Sequence, residues 1–207
     1  MRLRRCGSDA VLVEVDSLDE VDAVRTALAG ASEAGRLPDL IELVPAARTV
    51  LAAMRPGSGG LAKLRETLAG VDLTASVRRT PREVELPVHY DGPDRELVAK
   101  TAGISVDEVG ELHSSVEYSV AFCGFAPGFG YLVGLPESLC QPRLERPRTK
   151  VPVGSVGIAD EFTGAYPRSS PGGWRLIGRT EAALFDSHRE RPALLAPGDI
   201  VRFTVAT

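Results

Sequence analysis

The chain opens with segments whose hydrophobic period changes repeatedly. Ala10 to Val15 reads Ala-Val-Leu-Val-Glu-Val, an apolar run broken by one acid, and predicts a strand buried on at least one face. Leu18, Val21, Val24, Leu28 and Ala31 then recur at helical spacing behind Ser17-Leu18-Asp19-Glu20. In that capping-box pattern a Ser hydroxyl and a Glu carboxylate satisfy free N–H groups at a helix start, and Gly35 offers the stop. Leu40 to Val44 predicts a second strand, Pro45-Ala46 a turn, and Thr49 to Met54 a third strand. Pro56 to Gly60 leads into a helix carrying Leu61, Leu64 and Leu68, and Leu73 to Val77 reads as a fourth strand. The order βαββαβ predicts a ferredoxin-like α+β unit, with helices over one face of an antiparallel sheet.

Thr80-Pro81-Arg82-Glu83 is a polar break and marks a domain boundary, giving a first domain over 1–80 and a second over 81–207. In the second, Val84 to Tyr90 is extended. Asp94 to Ala102 and Val106 to His113 predict two short helices, the latter entered by a second capping box at Ser105-Val106-Asp107-Glu108. The strand candidates that follow include Ser119 to Cys123, Ser155 to Ala159, Trp174 to Ile177, Ala183 to Phe185, and Ile200 to Val205 after a Pro197-Gly198-Asp199 turn. Short strands with Gly and Pro corners point to a closed β barrel or a sandwich.

Bulk properties narrow the function classes. Of 207 residues, 43% are apolar and 25% charged, the balance of a soluble globular protein. A net charge of -4 argues against a general nucleic-acid binder, despite Arg2, Arg4 and Arg5. No apolar run approaches the roughly 18 residues that span a bilayer, and Glu14 interrupts the early apolar stretch, so neither a membrane span nor a signal peptide is expected. Cys6, Cys123 and Cys140 form no metal-like spacing, and the three histidines form no H-x-H or H-E-x-x-H motif. The expectation is a cytoplasmic protein with reduced thiols and no metal site.

Between Phe122 and Gly178 the chain concentrates Gly, Pro and aromatic residues, including its single Trp. Gly permits close approach and Pro fixes φ, so this stretch predicts shaped loops on a β scaffold, where binding and chemistry commonly sit. Arg148 and Lys150 stand between Pro147 and Pro152, a stiff loop suited to holding a carboxylate or phosphoryl group, or simply a solvated basic loop. His113 closes a predicted helix as a candidate acid–base group, or as a charge suiting the helix dipole. Ser155, Thr163 and Tyr166 supply hydroxyls nearby. Trp174 either walls a pocket with Phe125, Phe129 and Tyr131 or fills a small barrel's core. Gly57-Ser58-Gly59-Gly60 lacks the P-loop pattern and reads as a surface loop.

Four ordered motifs add a resemblance. Phe125-Ala126-Pro127-Gly128-Phe129-Gly130-Tyr131-Leu132 fits F-x-P-G-F-x-Y-L, and Pro147 to Ala159 fits P-R-x-x-V-P-x-G-S-V-x-I-A. Thr163 to Thr180 carries T-G-x-Y-P, S-P-G-G-W and L-I-G-R-T, and Pro197 to Phe203 fits P-G-D-x-V-x-F. The chain thus resembles, over essentially its whole length, the family of the bacterial 5-oxoprolinase B subunit. That family was long labelled allophanate hydrolase subunit 1, and it includes Kip-type inhibitors of sporulation sensor kinases. The chain departs from it at one place: where the family often reads I-A-G-x-Q-T-G-I-Y-P, Asp160 stands for a glycine and Phe162 for an amide side chain. A polar contact is therefore lost or moved.

The resemblance implies a ferredoxin-like domain followed by a cyclophilin-like β barrel. It also implies a partner, the C subunit of the same enzyme, which is related to allophanate hydrolase subunit 2. A further A subunit and kinship with the carboxyl-transfer domain of urea amidolyase follow from it too. The implied reaction is ATP-driven opening of the lactam of 5-oxo-L-proline to L-glutamate, with ATP as co-substrate, Mg2+ beside it, and no tightly bound cofactor. By position and chemistry, the expected catalytic residues are His113 for proton transfer, Lys150 for anionic groups and Tyr166 for orienting substrate. Arg148, Ser155, Phe129 and Trp174 are expected to contact substrate on loops shaped by Gly128, Gly154 and Gly173. The competing reading is a Kip-type inhibitor docking on a histidine kinase. Carboxyl transfer or allophanate chemistry is disfavoured, because the chain has neither a biotin-carrier segment nor an amidase Ser/Lys signature.

Overall fold

The structure, a computed structural model, describes residues 1–74 and 81–206. The chain forms two compact units, Met1–Arg79 and Thr80–Thr207.

The first unit runs β1 (Arg2–Cys6), β2 (Ala10–Glu14), α1 (Leu18–Glu33), β3 (Leu40–Pro45), β4 (Thr49–Met54) and α2 (Leu61–Ala69). The strands form one antiparallel sheet in the order β1-β2-β4-β3. β2 and β4 alternate buried and partly exposed positions. Their inward Val11, Val13, Val50, Ala52 and Met54 meet Val21, Val24, Leu28 and Ala31 of α1 and Leu64 and Leu68 of α2. The Ser17 hydroxyl accepts the Glu20 N–H at 3.2 Å, and the Glu20 carboxylate accepts the N–H of Asp16, one residue before the cap. Gly35, at φ 69, takes the left-handed conformation that ends α1.

Two expectations change here. β1 is a strand that the sequence pattern does not show: all five of its residues are exposed, so Arg2-Leu3-Arg4-Arg5-Cys6 carries no hydrophobic alternation. It pairs with β2 on the edge where a βαββαβ unit would place its fourth strand. Leu73 and Thr74, the start of that expected strand, form a turn, and 75–77 lie outside the described residues.

The second unit runs β5 (Glu83–Val88), α3 (Arg95–Ala102), α4 (Val106–Ser114), β6 (Glu117–Cys123), β7 (Gly130–Val133), β8 (Arg148–Val151), β9 (Ser155–Ala159), β10 (Phe162–Ala165), β11 (Ser170–Gly172), β12 (Arg175–Arg179) and β13 (Ile200–Val205). Seven strands form a sheet in the order β12-β9-β10-β7-β6-β13-β5, with β13 and β5 parallel. The sheet curls until its edges meet at one antiparallel pair, His89 and Arg179, which exchange N–H···O bonds of 2.9 Å in both directions. Gly92 and Gly178 sit at this seam, where a Cβ would lie 2.3 Å from the Ile177 carbonyl carbon or 2.6 Å from the His89 oxygen. The interior is packed by Leu86, Val88, Tyr118, Val120, Leu132, Ile158, Ile177, Val201 and Phe203, with Val98 of α3 and Val109 of α4 joining the cluster. The capping box at Ser105 and Glu108 forms in full.

β8 and β11 make a separate two-stranded ribbon. Ala183 to Phe185 is not a strand; Phe185 makes only an isolated bridge to Ala193. β7, β8, β10 and β11 add to the expected strands, and their Gly, Pro and charged residues hide the period of two.

Candidate functional site

A second small core lies against β8, β9 and β10. Phe129, Tyr166 and Trp174 are each buried and pack edge-to-face, with Phe129 to Trp174 at 5.3 Å and Phe129 to Tyr166 at 5.3 Å between ring centroids. Tyr131 and Phe162 flank them; Phe162 stands edge-on to Tyr131 and Phe122, each at 5.7 Å. The departure at Phe162 thus adds a ring to this cluster. Asp160 takes φ 51 in the β9–β10 turn, a left-handed conformation that Asp tolerates better than most residues and that explains a glycine in the family pattern.

Phe129, Tyr166 and Trp174 interlock as a buried cluster rather than standing out into solvent. Edge-to-face stacking and burial satisfy these rings where they stand. The hydroxyl of Tyr166 lies under Gly172, where a Cβ would come within 2.6 Å, and interacts with the Trp174 backbone N–H. Burial raises its pKa above the ordinary tyrosine value. The outward ring is Phe125, 56% exposed, set edge-on to Phe129 at 5.3 Å and Tyr166 at 6.0 Å.

The loop holding Phe125 is tightly bonded. Ala126 N–H donates to the Gly124 oxygen at 2.7 Å, Phe129 N–H to the Ala126 oxygen at 2.9 Å, and Gly124 N–H to the Phe129 oxygen at 3.2 Å. Gly128, at φ 85, backs against Leu184 and Phe185, leaving 2.7 Å for a Cβ. Gly154, at φ 78, presses on the Thr180 oxygen and donates its N–H to the Tyr166 carbonyl. Gly173 faces Pro147.

On the ribbon, Arg148 and Val151 stand opposite Gly172 and Ser170, and a bulge absorbs the extra residue on β8. Val151 is buried beside Tyr166 and Arg148 is half-buried, while Thr149 and Lys150 are exposed. Arg148 Nη2 donates to buried Asp94 Oδ1 at 2.7 Å, and Asp94 Oδ2 accepts the Leu176 N–H at 2.7 Å. Sequence reasoning missed Asp94, because only the fold brings together residues so distant in the chain.

His113 lies apart from this group, 0% exposed inside the curled sheet and against Phe203 at 4.4 Å. Its Nδ1 is 2.8 Å from the Tyr90 hydroxyl and its Nε2 2.8 Å from Thr163 Oγ1. Thr163 Oγ1 donates to the Gly157 oxygen at 3.1 Å, so it accepts from His113, which fixes the neutral Nε2–H form with Nδ1 accepting from Tyr90. Burial pulls the imidazole pKa down to about 3. Both nitrogens are thus engaged within the fold, by Tyr90 on one side and Thr163 on the other. Ser155 is likewise buried; its backbone pairs with Pro152 and Tyr166.

In the first unit, the Gly57 N–H is taken by Asp9 Oδ1 at 3.0 Å and the Gly60 N–H by the Ser58 hydroxyl at 3.2 Å, so the glycine loop turns these donors inward. Among the described residues no cluster of His, Cys, Asp or Glu is arranged to hold a metal ion, and no helix is long and apolar enough to cross a membrane.

This arrangement has known relatives. Residues 1–195 match the family described as carboxyltransferase domain, subdomain C and D. The chain is 40% identical over 210 residues to the 5-oxoprolinase B subunit of Escherichia coli O157:H7, covering 98% of this chain and 96% of that protein. It is 48% identical over 143 residues to the 5-oxoprolinase B subunit of Bacillus subtilis (strain 168), spanning 68% of this chain and 59% of that one. The crystal structure of TTHA0988 superposes with a TM-score of 0.82 at 36% identity, covering 97% of this chain and 40% of that longer chain. The chain belongs to the carboxyltransferase-domain family, subdomains C and D, and within it to the family of 5-oxoprolinase B subunits.

Proposed function

We propose that this chain is the B subunit of an ATP-dependent 5-oxoprolinase, a cytoplasmic hydrolase that opens 5-oxo-L-proline to L-glutamate in complex with its A and C subunits. The observation that carries the reading is the end-to-end correspondence with the E. coli protein, which leaves almost none of either chain unmatched. A ferredoxin-like first domain and a cyclophilin-like second are the corresponding fold reading.

The chemistry suits the second unit's ribbon. The lactam's amide resonance must be broken. Transfer of the γ-phosphoryl group of ATP, carrying Mg2+, to the lactam oxygen would release ADP and make the ring carbon electrophilic. Water then adds there, the C–N bond breaks to free the amine, and hydrolysis of the resulting acyl phosphate releases phosphate. The negative charge involved calls for fixed cations. Arg148 is oriented by Asp94, and Lys150 stands outward on the same strand. A ribbon with one oriented cation, Arg148, and one exposed cation, Lys150, is in keeping with a site that a partner completes. The deciding experiment reconstitutes the chain with its A-type and C-type partners and measures 5-oxoproline-dependent ATP turnover. Turnover requiring all partners is the expected result. Absence of turnover with 5-oxoproline in a stable complex would sink the reading.

A further inference from the structure

We propose that the first unit binds an amino dicarboxylic acid of the L-glutamate class, in a cavity at the end of its sheet where Arg2, Asp16 and Arg48 converge. The assignment rests on the charges of that cavity and not on the reaction proposed above.

Strand register builds the place. Arg2 of β1 stands opposite Glu14 of β2, and Glu14 opposite Thr49 of β4, so the three form one row across the sheet. The row faces away from the helices, because the adjacent Val13 and Val50 belong to the core shared with α1 and α2. One step further, the Val15 N–H donates to the Arg48 oxygen at 3.0 Å, which keeps Asp16 and Arg48 at the same end. These residues line a cavity of about 340 Å3, and small-molecule sites commonly measure roughly 300–1,000 Å3.

The charges of the cavity do not neutralise one another. Glu14 stands opposite Arg2 but bonds Arg4 instead, at 2.6 Å. Arg2, Arg48 and Asp16 make no side-chain hydrogen bond or ion pair among the described residues. Two such guanidinium groups and one carboxylate are the complement of a ligand with two carboxylates and one ammonium. The guanidinium fork matches a carboxylate in shape as well as charge. Val15 and Met1 offer apolar wall to the methylene groups between the ligand's charges, and the Thr49 hydroxyl adds a neutral partner. An inorganic anion would set like charge against Asp16, and a simple amine would leave both arginines unpaired. Arg2, Asp16 and Arg48 all face solvent, so each pairing is modest and the expected dissociation constant is on the order of 1 mM.

The test titrates the isotope-labelled full chain with L-glutamate, glutarate and 5-oxo-L-proline at low ionic strength, following backbone amide shifts by NMR. L-Glutamate should saturate, move the amides of Arg2, Asp16 and Thr49, and lose affinity as salt rises. Glutarate lacks the ammonium, and 5-oxo-L-proline lacks both it and the second carboxylate. Each should bind at least about threefold more weakly than L-glutamate. Arg2→Gln, Arg48→Gln and Asp16→Asn should each weaken L-glutamate by at least about threefold. Arg5→Gln makes the same charge change on β1 at a position that alternates to the other face, opposite Val11, and should leave binding unchanged. The substituted side chains are exposed, so all four variants should fold, as thermal unfolding checks. Lack of saturable shifts up to about 20 mM would overturn the proposal, as would shifts confined to other residues. So would smaller losses in the three cavity variants, or equal binding of glutarate. L-Glutamate is also the product of the proposed reaction, yet a complex inert toward 5-oxoproline would sink only that reading and leave this site standing.

Discussion

Asp94 holds Arg148 in place from 54 residues away: one carboxylate oxygen takes the guanidinium at 2.7 Å, and the other takes the Leu176 N–H at 2.7 Å. Breaking this pair strands a partly buried cation and a backbone donor together. Asp94→Asn should lower unfolding free energy by about 2 to 3 kcal/mol, measured by urea titration. Combining it with Arg148→Met should recover part of that loss, since no unpaired charge then remains. Additive losses would show that the two residues are not coupled.

His113 makes stability depend on pH. In the unfolded chain its imidazole binds a proton below about pH 6.5, whereas in the folded chain burial delays protonation to about pH 3. Between these values the unfolded state holds the extra proton, so stability is complete above the unfolded pKa and is lost as pH falls. The expected slope from this group approaches about 1.4 kcal/mol per pH unit below about pH 6. His113→Phe should flatten the curve between about pH 6.5 and 5, whatever it does to the absolute value. An unchanged slope in the variant would refute the assignment.

Gly154 tests the packing of the loop after β8. An added Cβ would sit 2.2 Å from the Thr180 oxygen, at a φ of 78 that side chains resist. Gly154→Ala should destabilise by about 2 kcal/mol or more, seen as a lowered melting temperature. A neutral result would mean the loop moves aside freely.

Lys150 stands exposed on the bulged strand, so its removal should leave the fold alone. In a reconstituted complex, Lys150→Ala should reduce ATP-dependent turnover of 5-oxoproline by at least about tenfold, on the order of 1.4 kcal/mol of barrier. Full activity in the variant would remove Lys150 from the reacting site.

Local signals explain what the sequence made readable. The Ser105–Glu108 capping box, the Ser17 cap, α1, α4 and the strand Ile200–Val205 declare themselves through short-range spacing, and the structure places them as expected, with Glu20 bonding Asp16 rather than the cap residue. β1 stayed hidden because an edge strand of arginines has no face to bury, and β11 because Ser-Pro-Gly reads as a turn. The ring cluster was visible as composition, but composition does not tell a core ring from a pocket ring. That distinction follows from how Phe129, Tyr166 and Trp174 interlock while Phe125 is turned outward. Likewise the partners of His113 come from Tyr90 and Thr163, on segments that only the curled sheet assembles.

The Tyr90–His113–Thr163 chain also ties the alignment of β10 to a buried imidazole. Slipping β10 by one position would swing the Thr163 hydroxyl to the opposite face and leave an imidazole N–H stranded in apolar surroundings. The mispaired sheet would thus carry a penalty that the correct alignment escapes. Correct alignment of β10 satisfies both nitrogens of His113, which a slipped strand would not.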